Sequence, residues 1–351
     1  MSRFLPAIVF LSLSFSAHAQ KFDVAPVPAD SHELVTGPAQ VPATPAERAS
    51  ALNLLERARQ NGDMHIAGSA PFILKAQFTA TGNVQFTGQG EVTETWLNGR
   101  HWRWTASLGN YSQVRTSANG HIFDEQPVSV VPMRVQMLRA AIFNPVHAVP
   151  AGTGIRTATV QSNGMQVTCL LSTERGQLPG GHSRSWGERE YCVQNDSGLL
   201  HVYSEAPGVY VEYGYSQRLQ FHGRTIPDQV SVFIAGSPVI EAQISISDVG
   251  SNGEALEAAR PSTNEPPIML GQASRFPIAA QERTGLKEIQ PVIVHVTVDN
   301  HGNLLEEELV TAADPALARM ALQIVKDSKF SPIDSTQREA YINVRFSPAA
   351  Q

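Results

Sequence analysis

The chain has 351 residues, of which 42% are hydrophobic and only 17% charged, a balance that fits packed domains and excludes a disordered polymer. That length is long for one compact domain and comfortable for two. The formal net charge of -6 comes with no clustered stripe of Lys and Arg, which argues against a nucleic-acid partner.

Arg3 precedes an apolar run at 5–15, and Ala17-His18-Ala19 follows as an A-x-A cleavage pattern. The run is about 12 residues, short of the ~20 needed to span a bilayer. Residues 1–19 are therefore expected to be a cleaved signal peptide, with Gln20 as the new N-terminus and a periplasmic destination. If the segment were retained, the chain would be membrane-anchored. Export gives meaning to Cys169 and Cys192, which stand as the sole cysteine pair. An oxidising compartment favours their disulfide. A redox or metal site is the alternative, but there is no C-x-x-C spacing and two thiols do not fill a tetrahedral zinc site.

Residues 20–45 read as an extended linker punctuated by Pro26, Pro28, Pro38, Pro42 and Pro45. Thr44, Pro45 and Glu47 then have the spacing of a capping box with proline at the first helical position. Ala51, Leu54, Leu55 and Ala58 recur at helical spacing, which predicts a helix over about 45–60. From 70 onward the period becomes that of strands. Phe72, Leu74, Ala76 and Phe78 alternate with polar residues, 84–87 and 90–96 continue the pattern, and Asn98-Gly99 marks a hairpin between Trp96 and the Trp102/Trp104 pair. Further strands are predicted at 111–116, 121–124, 157–161, 165–172, 190–194, 199–204, 209–219, 224–235 and 239–248, with a short helix at 135–143 and a long Gly-rich loop at 174–187. The fold class expected for 46–248 is an antiparallel β-meander or incomplete barrel with short helices.

Residues 249–266 form a second linker rich in Gly and Pro, so 267–351 is expected to be a separate domain. There, 291–298 and 304–310 read as strands around the Asp299-Asn300-His301-Gly302 turn. Asp314-Pro315 opens a helix whose Leu317, Met320, Ala321, Ile324 and Val325 share a face, and 341–346 is a closing strand. The whole is α+β.

The C-terminal pattern resembles the C-terminal domain of TonB energy transducers. The residues that carry the likeness are Val294 to Asp299 with Gly302, Pro315-Ala316-Leu317 leading into Ala321, Lys329-Phe330-Ser331-Pro332, and Asn343-Val344-Arg345-Phe346, with Arg275-Phe276-Pro277 and Ala279-Ala280 upstream where the family usually has a Tyr-Pro pair before a short helix. The likeness covers about 267–348. It implies a small sheet with a helix packed on one face. It also implies a closing strand whose exposed edge takes an extended segment of an outer-membrane receptor or another envelope protein, by strand addition. Tyr341, Ile342, Asn343, Val344, Arg345 and Phe346 match that strand. The middle region more weakly resembles LolA-like exported lipid or lipoprotein carriers. That likeness implies an apolar cavity for an acyl chain, with Phe72, Leu74, Phe78, Trp96, Trp102 and Trp104 as candidate lining.

No catalytic motif is present: no G-x-S-x-G elbow, H-E-x-x-H, phosphate loop or dinucleotide fingerprint. His182 reads as a solvated loop residue, His295 as half-buried in its strand, and Asp124-Glu125 and Glu306-Glu307-Glu308 as solvated acidic faces. No catalytic residue, metal ligand or cofactor is expected. The reading is a non-enzymatic periplasmic envelope protein with a protein-interaction domain, handling lipid or lipoprotein or serving outer-membrane transport. The alternatives are a membrane-anchored energy transducer and an adaptor whose barrel is solid.

Overall fold

The computed structural model describes residues 42–66, 68–118, 121–124, 131–162, 164–173, 188–250, 274–283, 285–332 and 337–349. The expected signal peptide, nearly all of the first linker, the Gly-rich loop with His182 and nearly all of the second linker lie outside these residues. No helix of the described residues is long and apolar enough to cross a membrane.

Helix α1 (Pro45–Gly62) starts as its spacing predicts. Thr44 Oγ1 accepts from the Glu47 N–H, the Glu47 carboxylate accepts from the Thr44 N–H at 2.8 Å, and Pro45 occupies the first turn. Strands β1 (Phe72–Ala80), β2 (Gly88–Asn98), β3 (His101–Leu108), β4 (Tyr111–Ala118) and β5 (His121–Asp124) form a meander running outward from β1. Residues 84–87, expected to be a strand, form an irregular connection instead. Helix α2 (Met133–Phe143) begins two residues earlier than its periodicity indicates and lies in the connection to the opposite edge of the sheet. From that edge β6 (Gly154–Ser162), β7 (Met165–Thr173), β8 (Glu188–Gln194), β9 (Leu200–Ala206), β10 (Val209–Gly214), β13 (Gln229–Ile234) and β14 (Ser237–Asp248) return to the centre. A turn from Tyr215 to Arg218 interrupts the run predicted at 209–219, and β11 (Leu219–Phe221) and β12 (Arg224–Ile226) form a separate two-stranded ribbon.

Pairing of β1 with β14 joins both halves into one twelve-stranded sheet in the order β5-β4-β3-β2-β1-β14-β13-β10-β9-β8-β7-β6, antiparallel throughout. A sheet this wide curls rather than staying flat. Its inward face carries Phe72, Leu74, Ala76 and Phe78 of β1, which pack in one continuous core with Leu55 of α1 and Met133, Leu138 and Ile142 of α2. Helix α1 covers β6, β8 and β9, and α2 covers β13 and β14. On the opposite face, Cys169 of β7 and Cys192 of β8 stand directly across from each other and are bridged. They pack with Val167, Val202 and Tyr210 in a small core of their own.

The C-terminal unit is a four-stranded sheet in the order β15-β18-β16-β17, built from β15 (Ser274–Arg283), β16 (Gln290–Asp299), β17 (Leu304–Thr311) and β18 (Gln337–Pro348). Helix α3 (Pro315–Asp327), with Asp314 accepting from the Ala316 and Leu317 N–H groups as its N-cap, packs Leu317, Ala318, Ala321 and Val325 on one face. Gly302 takes φ +87° in the β16–β17 turn, and a Cβ there would collide with the Phe330 carbonyl.

Two expectations change here. The segment around Ala279-Ala280 is strand, not helix. Strand β18 is not an edge: Tyr341, Ile342, Asn343, Val344 and Phe346 pair with β15 in parallel on one side, and these residues together with Arg345 pair with β16 antiparallel on the other. The reason lies in its burial. Ile342, Val344 and Phe346 face α3 while Tyr341 and Asn343 are buried on the opposite face, which suits a central strand. The edge positions belong to β15 and β17.

The sequence separation of 23 between the bridged cysteines sets the expected effect of losing the bond. Cys192→Ala should lower stability by roughly 3 kcal/mol in the loop-entropy account, read from urea midpoints with and without reductant. Equal midpoints for the oxidised, reduced and variant proteins would contradict it.

Candidate functional site

The alternation of β2 places Val92, Glu94 and Trp96 on the inward face, so an acid stands in an apolar row. Register extends that row across the sheet. Leu74 lies opposite both Ile246 and Glu94, Glu94 opposite Trp104, and Trp104 opposite Arg115. Glu94 is 0% exposed and Trp104 1%.

Two groups meet Glu94 from above. His65 follows α1 and is oriented by its own N–H, which donates to Asp63 Oδ1 at 3.0 Å. Its Nε2 lies 2.7 Å from Glu94 Oε1, and donates because a carboxylate accepts. Its ring stacks on Phe143 at 4.8 Å and lies near Phe72 and Trp96. Arg139 of α2 approaches from the other side, with Nη2 3.5 Å from Glu94 Oε2. The guanidinium lies 5.1 Å from the Trp104 ring centroid, 5.5 Å from Trp102 and 5.8 Å from Phe143. Three buried atoms here have no hydrogen-bond partner: Glu94 Oε2, Arg139 Nε and Trp104 Nε1. The His65 and Arg139 side chains remain 29% and 26% exposed, so the cluster reaches solvent at its margin.

Helix α1, from whose end His65 projects, is held lightly. It buries Ala51, Leu55 and Ala58, roughly 3–4 kcal/mol of apolar burial. At its flanks Arg48 donates to the Thr153 carbonyl at 2.7 Å, Arg57 to that of Asp196 at 3.2 Å, and Arg224 to that of Asp63 at 2.7 Å. A groove of about 330 Å³ beside it is lined mainly by polar residues, among them Ser50, Asn53, Arg57 and Asn195.

Among the described residues, the expected lining residues are packed and surround no cavity. Phe72 and Leu74 are 0% exposed, so no void large enough for water borders them, and Phe78, Trp96 and Trp104 are nearly as closely packed. Trp102 is half-buried beneath Arg139. Close packing, with Phe72 and Trp96 stacked at 5.4 Å, fills the space.

The second cluster joins the two units. Pro132 gives α2 no side-chain cap, and Glu306 of β17 supplies one: its Oε2 accepts the Met133 N–H at 3.0 Å. Arg134, buried completely, donates Nη1 to Glu308 Oε2 at 2.7 Å and Nε to the Thr81 carbonyl at 2.9 Å. Gly82 has φ +115°, and a Cβ there would strike that guanidinium. The acidic run is thus no solvated face: Glu306 is buried and Glu308 paired, while Glu307 meets Lys326 on the α3 side at 3.0 Å. His295 is fully buried, not half-buried, and stacks on Tyr341 at 4.5 Å.

Of the site residues expected from sequence, the structure brings the cysteines together as a bridge and places the aromatic residues in the core. Among the described residues, the grouping with metal-ligand spacing is Cys169, Glu190 and Cys192, and its two sulfurs are bonded to each other. His65, Glu94, Arg134 and Arg139 were not singled out. Glu94 carries a legible signal, a charge at the inward parity of an alternating strand, but nothing local to His65 or Arg139 announces their convergence on it.

No family model matches the sequence, and no curated protein matches it. The likeness of 267–348 to TonB C-terminal domains therefore rests on its motifs alone. Among solved structures, the chain is similar to a LolA superfamily protein from Nitrosomonas europaea, with TM-score 0.35 and 10% identity over 56% of this chain and 91% of that one. It is also similar to a putative outer membrane lipoprotein-sorting protein domain from Vibrio parahaemolyticus, with TM-score 0.34 and 8% identity over 59% of this chain and 99% of that one. A MucA/MucB complex from Pseudomonas aeruginosa gives TM-score 0.25 and 12% identity over 73% and 82%. Overlap at this level does not equate the folds.

Burial holds the Glu306 carboxyl above its ordinary value of 4.5, opposed by the Met133 N–H and, more weakly, by His295 and Arg134. A raised carboxyl favours the folded state when protonated. Its contribution is complete below the ordinary value and is lost as pH rises through the raised one. Glu306→Gln keeps an acceptor for Met133 without the charge. It should match or exceed the wild-type urea midpoint at pH 7.5, and the two should converge toward pH 5. Arg134→Met should instead cost about 3–5 kcal/mol by leaving Glu308 without its cation. A Glu306→Gln protein markedly weaker at pH 7.5 would show that the charge stabilises the joint.

Proposed function

We propose that this is a non-enzymatic binding protein of the cell envelope whose β-rich unit takes up an acyl chain of a lipid or lipoprotein between the curved sheet and its covering helices. The observation that carries the reading is the contrast between the cover and what it covers. Beneath α1 and α2 lies one unbroken apolar core, whereas α1 buries fully in it only Ala51, Leu55 and Ala58, lays Leu52 and Leu54 half-buried against it, and is otherwise pinned by arginine-to-carbonyl bonds. Such a helix can lift at a cost of a few kcal/mol, and an acyl chain replaces the contacts it gives up. The closed state is fully packed; in this reading the chain enters as α1 leaves. The C-terminal unit serves as the protein-facing module. With β18 internal, strand addition there would have to use the edge of β15 or of β17.

A second reading has a specific observation in its favour. The voidless packing around Phe72 and Leu74 suits a solid adaptor that only positions the C-terminal unit. One titration separates the two. The acyl-chain reading expects saturable binding of fatty acyl chains, tightening with length by about 0.8 kcal/mol per CH₂ until the interior is filled. Arg57→Ala, which releases one pin of α1, should speed uptake with little change in fold. Absence of binding across the series, with no lipid mass on the protein purified from its native compartment, would favour the adaptor.

A further inference from the structure

We infer that Glu94, Arg139 and Trp104 form a head-group subsite selective for an uncharged amphiphile bearing a hydroxyl or an amide, as opposed to a free carboxylate. The inference rests on the acyl-chain reading above and names the end of the ligand that reading leaves open. Its basis is the set of three unsatisfied atoms, Glu94 Oε2, Arg139 Nε and Trp104 Nε1. Buried polar atoms are rarely left without partners, and three around one guanidinium mark a place where something polar belongs.

The three atoms specify what fits. Arg139 Nε and Trp104 Nε1 only donate, and Glu94 Oε2 only accepts. The complementary group accepts two hydrogen bonds and donates one, which a hydroxyl or an amide does. A carboxylate or phosphate has no proton to offer Glu94 and would set a second anion beside a fully buried one. Arg139 does not supply a spare cation for it, because its Nη2 already faces Glu94 at 3.5 Å. Position agrees with chemistry. The partly exposed His65 and Arg139 put the subsite at the rim of the apolar core, where a head group would rest while its chain ran inward beneath α1. His65, bonded to Glu94 Oε1 at 2.7 Å, holds the carboxylate in place, and Oε2, ion-paired with Arg139 at 3.5 Å without a hydrogen bond, keeps a lone pair for the ligand.

The test is calorimetric titration of the full mature chain, below the micellar range, with 1-monolauroylglycerol and with laurate, two probes of one chain length. Wild type, Glu94→Gln and Trp104→Phe are compared. Wild type should bind the monoacylglycerol about tenfold or more tightly than laurate. Glu94→Gln keeps the shape and the contact with His65 but removes the charge, and should narrow that ratio by improving laurate. Trp104→Phe keeps the ring, removes one donor, and should weaken the monoacylglycerol about 5–10-fold while leaving laurate nearly unchanged. If Glu94→Gln does not fold, Trp104→Phe decides alone. Equal affinity for both probes, unchanged in the variants, would overturn the subsite and leave the acyl-chain reading standing. Binding of neither probe would overturn both.

Discussion

The first turn of α2 is the constraint on which both halves of the molecule depend. Pro132 precedes the helix and offers no side-chain oxygen, so the leading N–H groups need an outside acceptor. It comes from the other unit, where the Glu306 carboxylate meets the Met133 N–H and Glu308 grips the buried Arg134. Glu306 serves there as an acceptor for the leading N–H, while the charge of Glu308 is matched by Arg134. The far end of the same 11-residue helix carries Arg139 and Phe143 over Glu94, and Tyr213 holds it by donating to the Ala141 carbonyl at 3.0 Å. One short rigid rod therefore links the joint between the units to the charged cluster inside the sheet.

The charged row is the feature that a packed β interior would not select for stability alone. Glu94 has Leu74 on one side and Trp104 on the other, and exchanging a buried ion pair for apolar residues is often neutral or stabilising. Its charged partners come from two separate elements, the segment after α1 and α2, and Trp104 comes from β3. A cluster assembled this way, with donors and an acceptor unspent, departs from the local rules that the rest of the sheet obeys, and such departures concentrate at functional sites.

The C-terminal sheet explains why two-sided burial misleads. Val292, Val294, Val296 and Val298 face α3, while Ile293, His295 and Thr297 of the same strand face the larger unit. That second face is mostly polar, and His295, Thr297 and Asn343 retain atoms without hydrogen-bond partners. Its cohesion comes from Ile293, Val310 and Tyr341, which join the larger core, and from the Arg134–Glu308 pair.

The sequence alone determined whatever depends on neighbours along the chain. The capping box at Thr44, the Asp314 cap, the turns at Asn98-Gly99 and Gly302, and the alternation of β1 are local, because a cap or a pleat is decided within a few residues. Cysteine count, with export expected, sufficed to pair Cys169 with Cys192. Only the tertiary structure decided the strand order, since nothing local to 341–346 says that 274–283 folds back beside it. It alone decided that the aromatic residues of β1–β3 fill space and do not line a cavity, because voids are a property of the whole packing. The run Glu306-Glu307-Glu308 reads as solvent-facing until Met133 and Arg134 arrive from about 170 residues earlier in the chain. Glu94 was visible as an inward charge. That His65 and Arg139 would answer it depended on how α1 and α2 settle on a curved sheet, and curvature is set by twelve strands together.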